Sequence, residues 1–250
     1  QVRDKTLPQL PEDYPELIVQ RRRDGVEIAT RVGDELREIE RIDVAFALLH
    51  GPFGEDGTVQ GVFEMLGVPY VGAGVAASAI GMDKHFMKLV FSARGLPVGP
   101  YVAIGSGEWE QDPAAALDAV AALTFPVFVK PARGGSSMGI TRVDSVEGVA
   151  AAVEIARRHD PKVLVEQGFT EVREIECGVL GGLPGEPPTA SAVAEIEMHA
   201  EDGFYDFEAK YLPDEQVSLH VPAAVPDDVA AEIRDLAVKA FQAWPESISS

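Results

Sequence analysis

The pattern of hydrophobic and polar positions divides the chain into continuous apolar runs and helically spaced segments. Apolar runs such as "DVAFALLHG" (43–51) and "KVLVEQGF" (162–169) are typical of buried strands, and the first predicts a strand covered on both faces of a parallel sheet. Residues 75–95 and 144–159 carry apolar residues at helical spacing, with Asp144 as the predicted N-cap of the second helix. This alternation predicts an α/β architecture.

The N-terminal quarter of the chain is less regular. Residues 1–27 are rich in proline and charge and show no period, so we expect a loop there. The segment "GDELREIERI" (33–42) predicts a helix, and "TVQGVFEMLG" (58–67) predicts another helix with Gly67 as its C-cap. "VPYVGAG" (68–74) predicts a short strand that would join the first buried strand in a sheet.

The C-terminal half is predicted to be richer in strands. "FPVFVK" (125–130) and "MGITRV" (138–143) flank a loop, and residues 174–182 and 189–197 predict an antiparallel pair. Residues 226–244 predict an amphipathic helix. The residues expected on its inward face are Val229, Ile233, Leu236, Ala240 and Phe241.

The charge balance is strongly acidic. The chain carries 41 Asp and Glu against 21 Lys and Arg, a formal net charge of −20. Such a surface repels nucleic acid and anionic lipid, so we expect neither as a partner. An anionic ligand would require positive charge that is concentrated locally against this general field.

The single cysteine, Cys177, excludes an internal disulfide framework and a cysteine-based zinc site. Because no cationic residue lies near it in the sequence, we expect Cys177 to be an unreactive core residue. The chain has no run of 18 apolar residues, and its N-terminal segment has no signal-peptide core. These features predict a soluble, cytoplasmic protein.

One loop has a composition suited to phosphate. In "FVKPARGGSSMGI" (128–140), Lys130 precedes a run of small residues that includes Ser136 and Ser137. Backbone N–H groups can approach phosphate oxygens where side chains are small, hydroxyls add donors and lysine adds charge. The lysine precedes the glycines and a strand follows them, so this is not a P-loop. When the loop is taken alone, an ordinary hairpin connection with a surface lysine is the favoured interpretation.

Three longer segments carry a resemblance to a known family. They are "LLHGPFGEDGTVQGVFEMLGVPYVGAGVAASAIGMDK" (48–84), "VFVKPARGGSSMGI" (127–140) and "FYDFEAKYL" (204–212). Together they resemble the D-alanine–D-alanine ligases, a branch of the ATP-grasp superfamily, over roughly residues 43–244. The resemblance implies a partial ATP-grasp fold of mixed α/β class, preceded by the remainder of an N-terminal parallel α/β domain.

The resemblance also implies domain limits and a reaction. The expected divisions are 1–73 for the N-terminal domain, 74–165 for the central ATP-grasp subdomain and 166–250 for the first part of the C-terminal one. The family joins two D-alanines with ATP through an acyl phosphate, for peptidoglycan precursors. The implied cofactors are ATP and Mg²⁺ (or Mn²⁺), the implied partners are D-alanine and ATP, and a homodimer is expected.

Site residues follow from the same resemblance. Lys84 and Lys130 resemble the lysines that bind ATP phosphates, Glu166 the residue that reads the adenine amino group, and Glu174 the ribose carboxylate. Residues matching the loops and the hinge around substrate and nucleotide are Ser136, Ser137, Gln167, Phe169, Lys210, Tyr211, His50 and Glu55. Tyr211 resembles the residue of the dipeptide-forming branch rather than of the D-alanyl-D-lactate branch.

Each role has an ordinary structural alternative. Lys84 could be a solvated helix residue, Glu174 an exposed strand residue and His50 a histidine satisfied within the fold. Tyr211 could serve packing alone. Glu166 ends a buried strand, where an unpaired carboxylate is costly, and this favours a hydrogen-bonding role.

The resemblance implies further segments on both sides of this chain. In the family, a glycine-rich turn with a glutamate comes earlier, and strands beyond Trp244 carry the carboxylates that bind metal. We therefore expect no metal ligands within residues 1–250 and little catalysis by this chain alone. Two alternatives stay open: another ATP-grasp carboxylate–amine ligase, and a nucleotide-binding remnant without chemistry.

Overall fold

A computed structural model describes residues 16–23, 25–170, 172–183, 185–198 and 217–244. The chain divides into two compact units. Of the described residues, the N-terminal unit comprises those up to Leu48 together with Thr58–Gly72, and the main unit comprises Leu49–Gly57 and those from Ala73 onward. Among the described helices, none is long and apolar enough to cross a membrane.

The N-terminal unit contains an antiparallel three-stranded sheet in the order β1 (Leu17–Arg22), β2 (Gly25–Val32) and β3 (Glu35–Ile42). The predictions of a loop over 1–27 and a helix over 33–42 are therefore wrong wherever these residues are described. Leu, Glu and Arg favour helices, but pairing with β2 along its whole length holds β3 extended. Gly33 and Asp34 form the two-residue hairpin turn that signals this pairing.

The predicted buried strands at 43–51 and 68–74 are reduced to one parallel bridge, between Ala45 and Tyr70. Val44, Phe46 and Leu48 are each exposed over more than half of their surface, so the expectation of burial on both faces is wrong. The helix predicted over residues 58–67 is confirmed as α1 (Thr58–Leu66). Gly67 follows α1 with a φ of 69°, as a C-terminal glycine should.

The main unit is built on a four-stranded antiparallel sheet in the order β4–β7–β5–β6. Its strands are β4 (Tyr101–Ile104), β5 (Val127–Pro131), β6 (Thr141–Val143) and β7 (Val163–Gln167). The predicted strands around the glycine-rich loop are confirmed as β5 and β6. One face of the sheet, carrying Val127, Val129, Val163 and Val165, packs into the main hydrophobic core.

Helices line this core and the opposite face. They are α2 (Val75–Met82), α3 (Lys84–Ala93), α4 (Glu108–Gln111), α5 (Pro113–Ala121) and α6 (Val149–Arg157), with a 3₁₀ turn at Val146–Gly148. The predicted helix over 75–95 is interrupted at Asp83. The Asp83 side chain accepts hydrogen bonds from the backbone N–H groups of His85 and Phe86, at 3.1 and 3.2 Å, and so begins α3.

The predicted cap at Asp144 is also wrong. Ser145 precedes the 3₁₀ turn, and Asp144 instead pairs with Arg142, the Oδ1 lying 3.1 Å from the guanidinium. Asp144 is therefore a surface residue that takes no part in starting α6.

The predicted antiparallel pairing of 174–182 with 189–197 is confirmed, but it is divided between two small sheets, and the strand at Val217–His220 was not predicted. The strands of these two sheets are β8 (Glu174–Glu176), β9 (Val179–Leu180), β10 (Thr189–Ala190), β11 (Ala194–Met198) and β12 (Val217–His220). The last helix, α7 (Asp227–Gln242), confirms the prediction, although Val229 is exposed rather than inward. Cys177 is half-buried, not in the core, with its Sγ 3.7 Å from the carbonyl oxygens of Gly178 and Ser191.

Candidate functional site

A cleft of about 670 Å³ opens over the face of the four-stranded sheet that points away from the core. Strands β5 and β7, the turn after β7 and the strands β8 and β11 contribute to its wall. Of the predicted site residues, the cleft brings together Lys130, Ser137, Glu166, Gln167, Phe169 and Glu174. Lys84, Ser136, His50 and Glu55 are not among the residues that line it.

The charged centre of the cleft is Glu166, held between two lysines. Its Oε2 is paired with the ammonium of Lys130, and its Oε1 lies 2.7 Å from the Nζ of Lys88. Strand register explains the first pair, since Lys130 and Glu166 lie on the same face of neighbouring antiparallel strands. Helix α3 brings Lys88 from the other side. All three side chains are less than one-fifth exposed, so solvent screens these pairs weakly.

The pKa of Glu166 reflects two opposed effects. Burial alone would raise the pKa of this carboxyl. The charge and hydrogen bond of Lys130, followed by those of Lys88, outweigh burial and lower the pKa below its ordinary value. Glu166 is therefore an ionised carboxylate, which can only accept hydrogen bonds.

Lys84 holds the start of the glycine loop, which we define as residues 132–140. Its Nζ lies 2.8 Å from the carbonyl oxygen of Gly134 and 3.3 Å from that of Pro131. Burial lowers the pKa of Lys84, and the nearby charge of Lys130 lowers it further. The ammonium groups of Lys84 and Lys130 thus lie close enough to repel each other.

The glycine loop has a backbone that few side chains tolerate. Gly134 has a φ of 142°, and Ser136 and Ser137 lie in the left-handed region with φ of 51° and 57°. A Cβ at Gly139, where φ is 72°, would clash with the ring of His159. The loop is a tight, preformed turn whose small residues are required by geometry.

A hydrogen-bonded carboxylate fixes Arg133, the second residue of the glycine loop. The buried Asp160 accepts hydrogen bonds from the Arg133 backbone N–H at 2.8 Å and from its Nε and Nη2, both at 2.9 Å. It also accepts from the Lys162 backbone N–H at 3.0 Å. Lys162 in turn pairs with Asp83 and lies over the ring of Phe86, 4.0 Å from its centroid. The loop is thereby attached to α3.

The turn after β7 forms the far wall of the cleft. The Gly168 N–H donates to the Pro126 carbonyl at 2.7 Å, and a Cβ at Gly168 would lie 2.8 Å from that oxygen. This glycine is therefore required by a close approach of two backbones. Phe169 follows with more than half of its surface exposed, and both it and Glu174 of β8 line the cleft.

The remaining predicted site residues either do not line the cleft or lie outside the described residues. His50 is exposed, and Glu55 accepts a 2.6 Å hydrogen bond from the Gly51 N–H within its own turn. Lys210 and Tyr211 lie outside the described residues. Within the described part of the chain, no group of three or more His, Cys, Asp or Glu side chains could hold a metal ion.

Sequence reasoning missed Lys88. It lies four residues after Lys84, so both side chains lie on one face of α3. This spacing was the available signal. With Lys88 included, two ammonium groups pair with the Glu166 carboxylate and Lys84 lies nearby, so positive charge is concentrated around this carboxylate in a chain of net charge −20. Such a site can bind a polyanion and can offer a hydrogen-bond acceptor beside it.

The chain is similar throughout most of its length to known ligases. The family description "D-ala D-ala ligase N-terminus" matches residues 4–73, and "D-ala D-ala ligase C-terminus" matches residues 90–246. The D-alanine–D-alanine ligase of Pseudarthrobacter chlorophenolicus is 56% identical over 209 residues, which are 83% of this chain and 54% of the relative. That of Streptomyces griseus is 54% identical over 220 residues, which are 86% of this chain and 55% of the relative. The chain thus spans about half the length of the curated relatives it matches.

Solved structures show the same likeness. VanG D-Ala:D-Ser ligase from Enterococcus faecalis has a TM-score of 0.74 at 34% identity, covering 92% of this chain and 62% of the other. The D-alanine–D-alanine ligase from Coxiella burnetii has a TM-score of 0.64 at 30% identity, covering 87% and 57%. These neighbours have the ATP-grasp fold, which confirms the predicted mixed α/β class.

Proposed function

Because the chain belongs to the D-alanine–D-alanine ligase family, we propose that its cleft binds ATP for the ligation of two D-alanines. The observation that carries this proposal is the pairing of Lys88 and Lys130 with Glu166, with Lys84 nearby on the carbonyl oxygens of a preformed glycine loop. Positive charge concentrated locally in an acidic protein suits a phosphorylated ligand.

The cleft suggests how a nucleotide would lie. Phosphates would occupy the side formed by Lys130 and the glycine loop, with Lys84 beneath it. The adenine would lie toward Phe169, where the Glu166 carboxylate accepts a hydrogen bond from its amino group, and Glu174 would bind the ribose. Because Lys130 is paired with Glu166, it must exchange this partner for phosphate when the nucleotide binds.

The proposed reaction has two steps. A carboxylate oxygen of the first D-alanine attacks the γ-phosphorus of ATP, the bond from that phosphorus to the bridging oxygen breaks, and ADP leaves an acyl phosphate behind. The amine of the second D-alanine then attacks the acyl carbon and loses a proton, the bond from this carbon to the phosphate oxygen breaks, and phosphate leaves. The contribution of this chain is to neutralise and orient the phosphates, since phosphoryl transfer depends mainly on positioning and charge. Ser136 and Ser137 belong to the glycine loop, which would cover the phosphates.

Magnesium is implied by the family, but the described residues do not fit it. A magnesium ion needs oxygen ligands in near-octahedral array, and the described part of the chain has no such cluster of carboxylates. The proposed roles of His50, Glu55, Lys210 and Tyr211 beside the D-alanine sites rest on the motifs alone. A cytoplasmic reaction that supplies peptidoglycan precursors, and a homodimer, complete the proposal.

Calorimetry with Lys130→Met tests the nucleotide site. A charged hydrogen bond to phosphate contributes about 1.5–3 kcal/mol, so we expect the affinity for ATP to fall about tenfold or more. Adenosine, which has no phosphate, should bind the variant as it binds the parent. The control is Lys239→Met, an exposed lysine of α7. Equal ATP binding by the parent and the Lys130 variant would contradict the proposal.

Substrate choice separates the proposal from the alternatives. Phosphate release from ATP would be measured with D-alanine, D-serine, D-lactate and L-alanine as second substrates. The relatives at 54–56% identity favour D-alanine, whereas the VanG structure raises D-serine as the competitor. Release that depends on none of them, despite tight ATP binding, would identify a nucleotide-binding protein without ligase chemistry.

A further inference from the structure

Resting on the proposed nucleotide site, we propose that Lys88 is the positioning residue that keeps Glu166 ionised and in place when Lys130 moves to the phosphates. The proposal gives a role to a residue that no sequence motif assigned. It also predicts which purine bases the cleft accepts.

The two oxygens of Glu166 have separate partners. Lys130 pairs with Oε2, while the Nζ of Lys88 lies 2.7 Å from Oε1. Lys88 is itself fixed, because its side chain is 12% exposed and its Nζ lies 5.4 Å from the centroid of the Tyr101 ring. When Lys130 leaves Glu166 to bind a phosphate, Lys88 therefore remains as the cation that contacts the Glu166 carboxylate, and it is already in position.

The charges around Glu166 make this partner necessary. Lys84, Lys88 and Lys130 face it as cations, while Glu174 and Glu176 line the same cleft as carboxylates. Its neighbours in the sheet, Tyr101 and Phe128, carry no charge to replace a lysine. A bound triphosphate would add further negative charge. Without Lys88, burial and these anions would both favour protonation of Glu166.

The ionisation state of Glu166 decides which base it selects. A carboxylate only accepts hydrogen bonds, so it attracts the amino group of adenine and repels the carbonyl oxygen that inosine has at the same position. A protonated carboxyl can donate to that oxygen. Lys88 thus preserves the preference for ATP over ITP as the pH falls.

The experiment compares the full 250-residue chain with Lys88→Met and Lys88→Arg. Calorimetry would give the affinity ratio of ATP to ITP at pH 7.5 and 5.5. NMR of ¹³C-labelled glutamate would follow the Glu166 carboxyl, assigned with Glu166→Gln. We expect the parent and the arginine variant to keep their ratio at both pH values. In the methionine variant the ratio should fall about tenfold at pH 5.5, and the Glu166 pKa should rise.

The outcomes distinguish a failure of this inference from a failure of the proposed function on which it rests. A parent chain that binds neither nucleotide would overturn the proposed function and the inference with it. A parent that prefers ATP, together with a methionine variant of unchanged ratio and unchanged carboxyl titration, would overturn the inference alone. Equal weakening of ATP and ITP would show a merely structural role for Lys88. If the methionine variant does not fold, Lys88→Gln provides the same comparison.

Discussion

The two faces of the four-stranded sheet contrast most clearly in β5. Val127 and Val129 point to one side and are fully buried in an apolar core, whereas Phe128 and Lys130 point to the cleft. Side chains of a strand alternate, so neighbours in sequence occupy environments of opposite character. The same five-residue strand thereby supplies both packing and charge.

The difference shows where each face derives its stability. The core face is stabilised by apolar area removed from water and by close packing. The cleft face holds charges whose desolvation cost is offset by their mutual pairing, so it adds little net stability. We therefore expect the core face to be sensitive to changes in volume and the cleft face to changes in charge.

The largest expected effect is on the core face. Ile104→Ala should lower the free energy of unfolding by about 2–5 kcal/mol, because Ile104 is 2% exposed and its removal leaves a cavity. Urea denaturation followed by circular dichroism would measure the loss. Ile155→Ala, at a position 39% exposed on α6, is the matched control and should cost far less. Equal losses would remove the contrast between buried and exposed positions.

A smaller effect is expected where the sheet runs into the glycine loop. Asp160, 2% exposed, accepts four hydrogen bonds there. Asp160→Ala leaves the backbone N–H groups of Arg133 and Lys162 without this acceptor, and we expect a loss of about 1–3 kcal/mol at pH 7.

The pH dependence sharpens this test. Burial alone would raise the pKa of Asp160, but hydrogen bonds from Arg133 and Lys162 hold it below its ordinary value. A carboxyl with a lowered folded pKa stabilises the fold above its unfolded pKa, about 4, and loses this as the pH falls through the folded value. The parent's advantage over Asp160→Ala should therefore shrink below about pH 4. Asp118→Ala, at an exposed aspartate of α5, serves as the control variant in the same experiment.

The smallest effect is expected at an exposed ion pair. Arg142 and Asp144 are 48% and 75% exposed, so Asp144→Ala should change the unfolding free energy by about 0.5 kcal/mol or less. Asp112→Ala is the comparison, because the Asp112 side chain caps α5 by accepting from the Ala115 N–H at 3.0 Å, and its loss should cost about 1 kcal/mol. A larger loss of unfolding free energy in Asp144→Ala than in Asp112→Ala would instead support Asp144 as the helix cap that the sequence predicted.

The sequence was most informative where one signal dominated. The apolar runs of β5 and β7 have no competing interpretation, and α1 ends at a glycine. In β3, by contrast, helix-forming residues concealed a strand whose conformation depends on its pairing with β2. Asp83 shows the same limit at a helix, since one capping side chain divides a segment that is apolar at helical spacing throughout.

The candidate site was predictable in its composition more than in its contacts. The glycine loop, Lys130 and Glu166 came from motifs, and the structure brings them to one cleft. Lys88 was missed although its spacing from Lys84 was visible, because the spacing does not reveal the tertiary pairing of Lys88 on α3 with Glu166 on β7. The pairing of Glu166 with Lys88 and Lys130 likewise depends on tertiary contacts that the motifs do not encode.

The carbonyl contacts of Lys84 have a consequence for how the cleft responds to occupancy. Its ammonium donates to oxygens at the start of the glycine loop, so an anion that draws this cation away must also release those oxygens. Ligand binding and rearrangement of the loop backbone are then coupled, and the measured free energy of binding includes the free energy of rearranging the loop. Apparent affinity would report on both at once, and a change that loosens the loop would alter binding without touching any atom of the ligand.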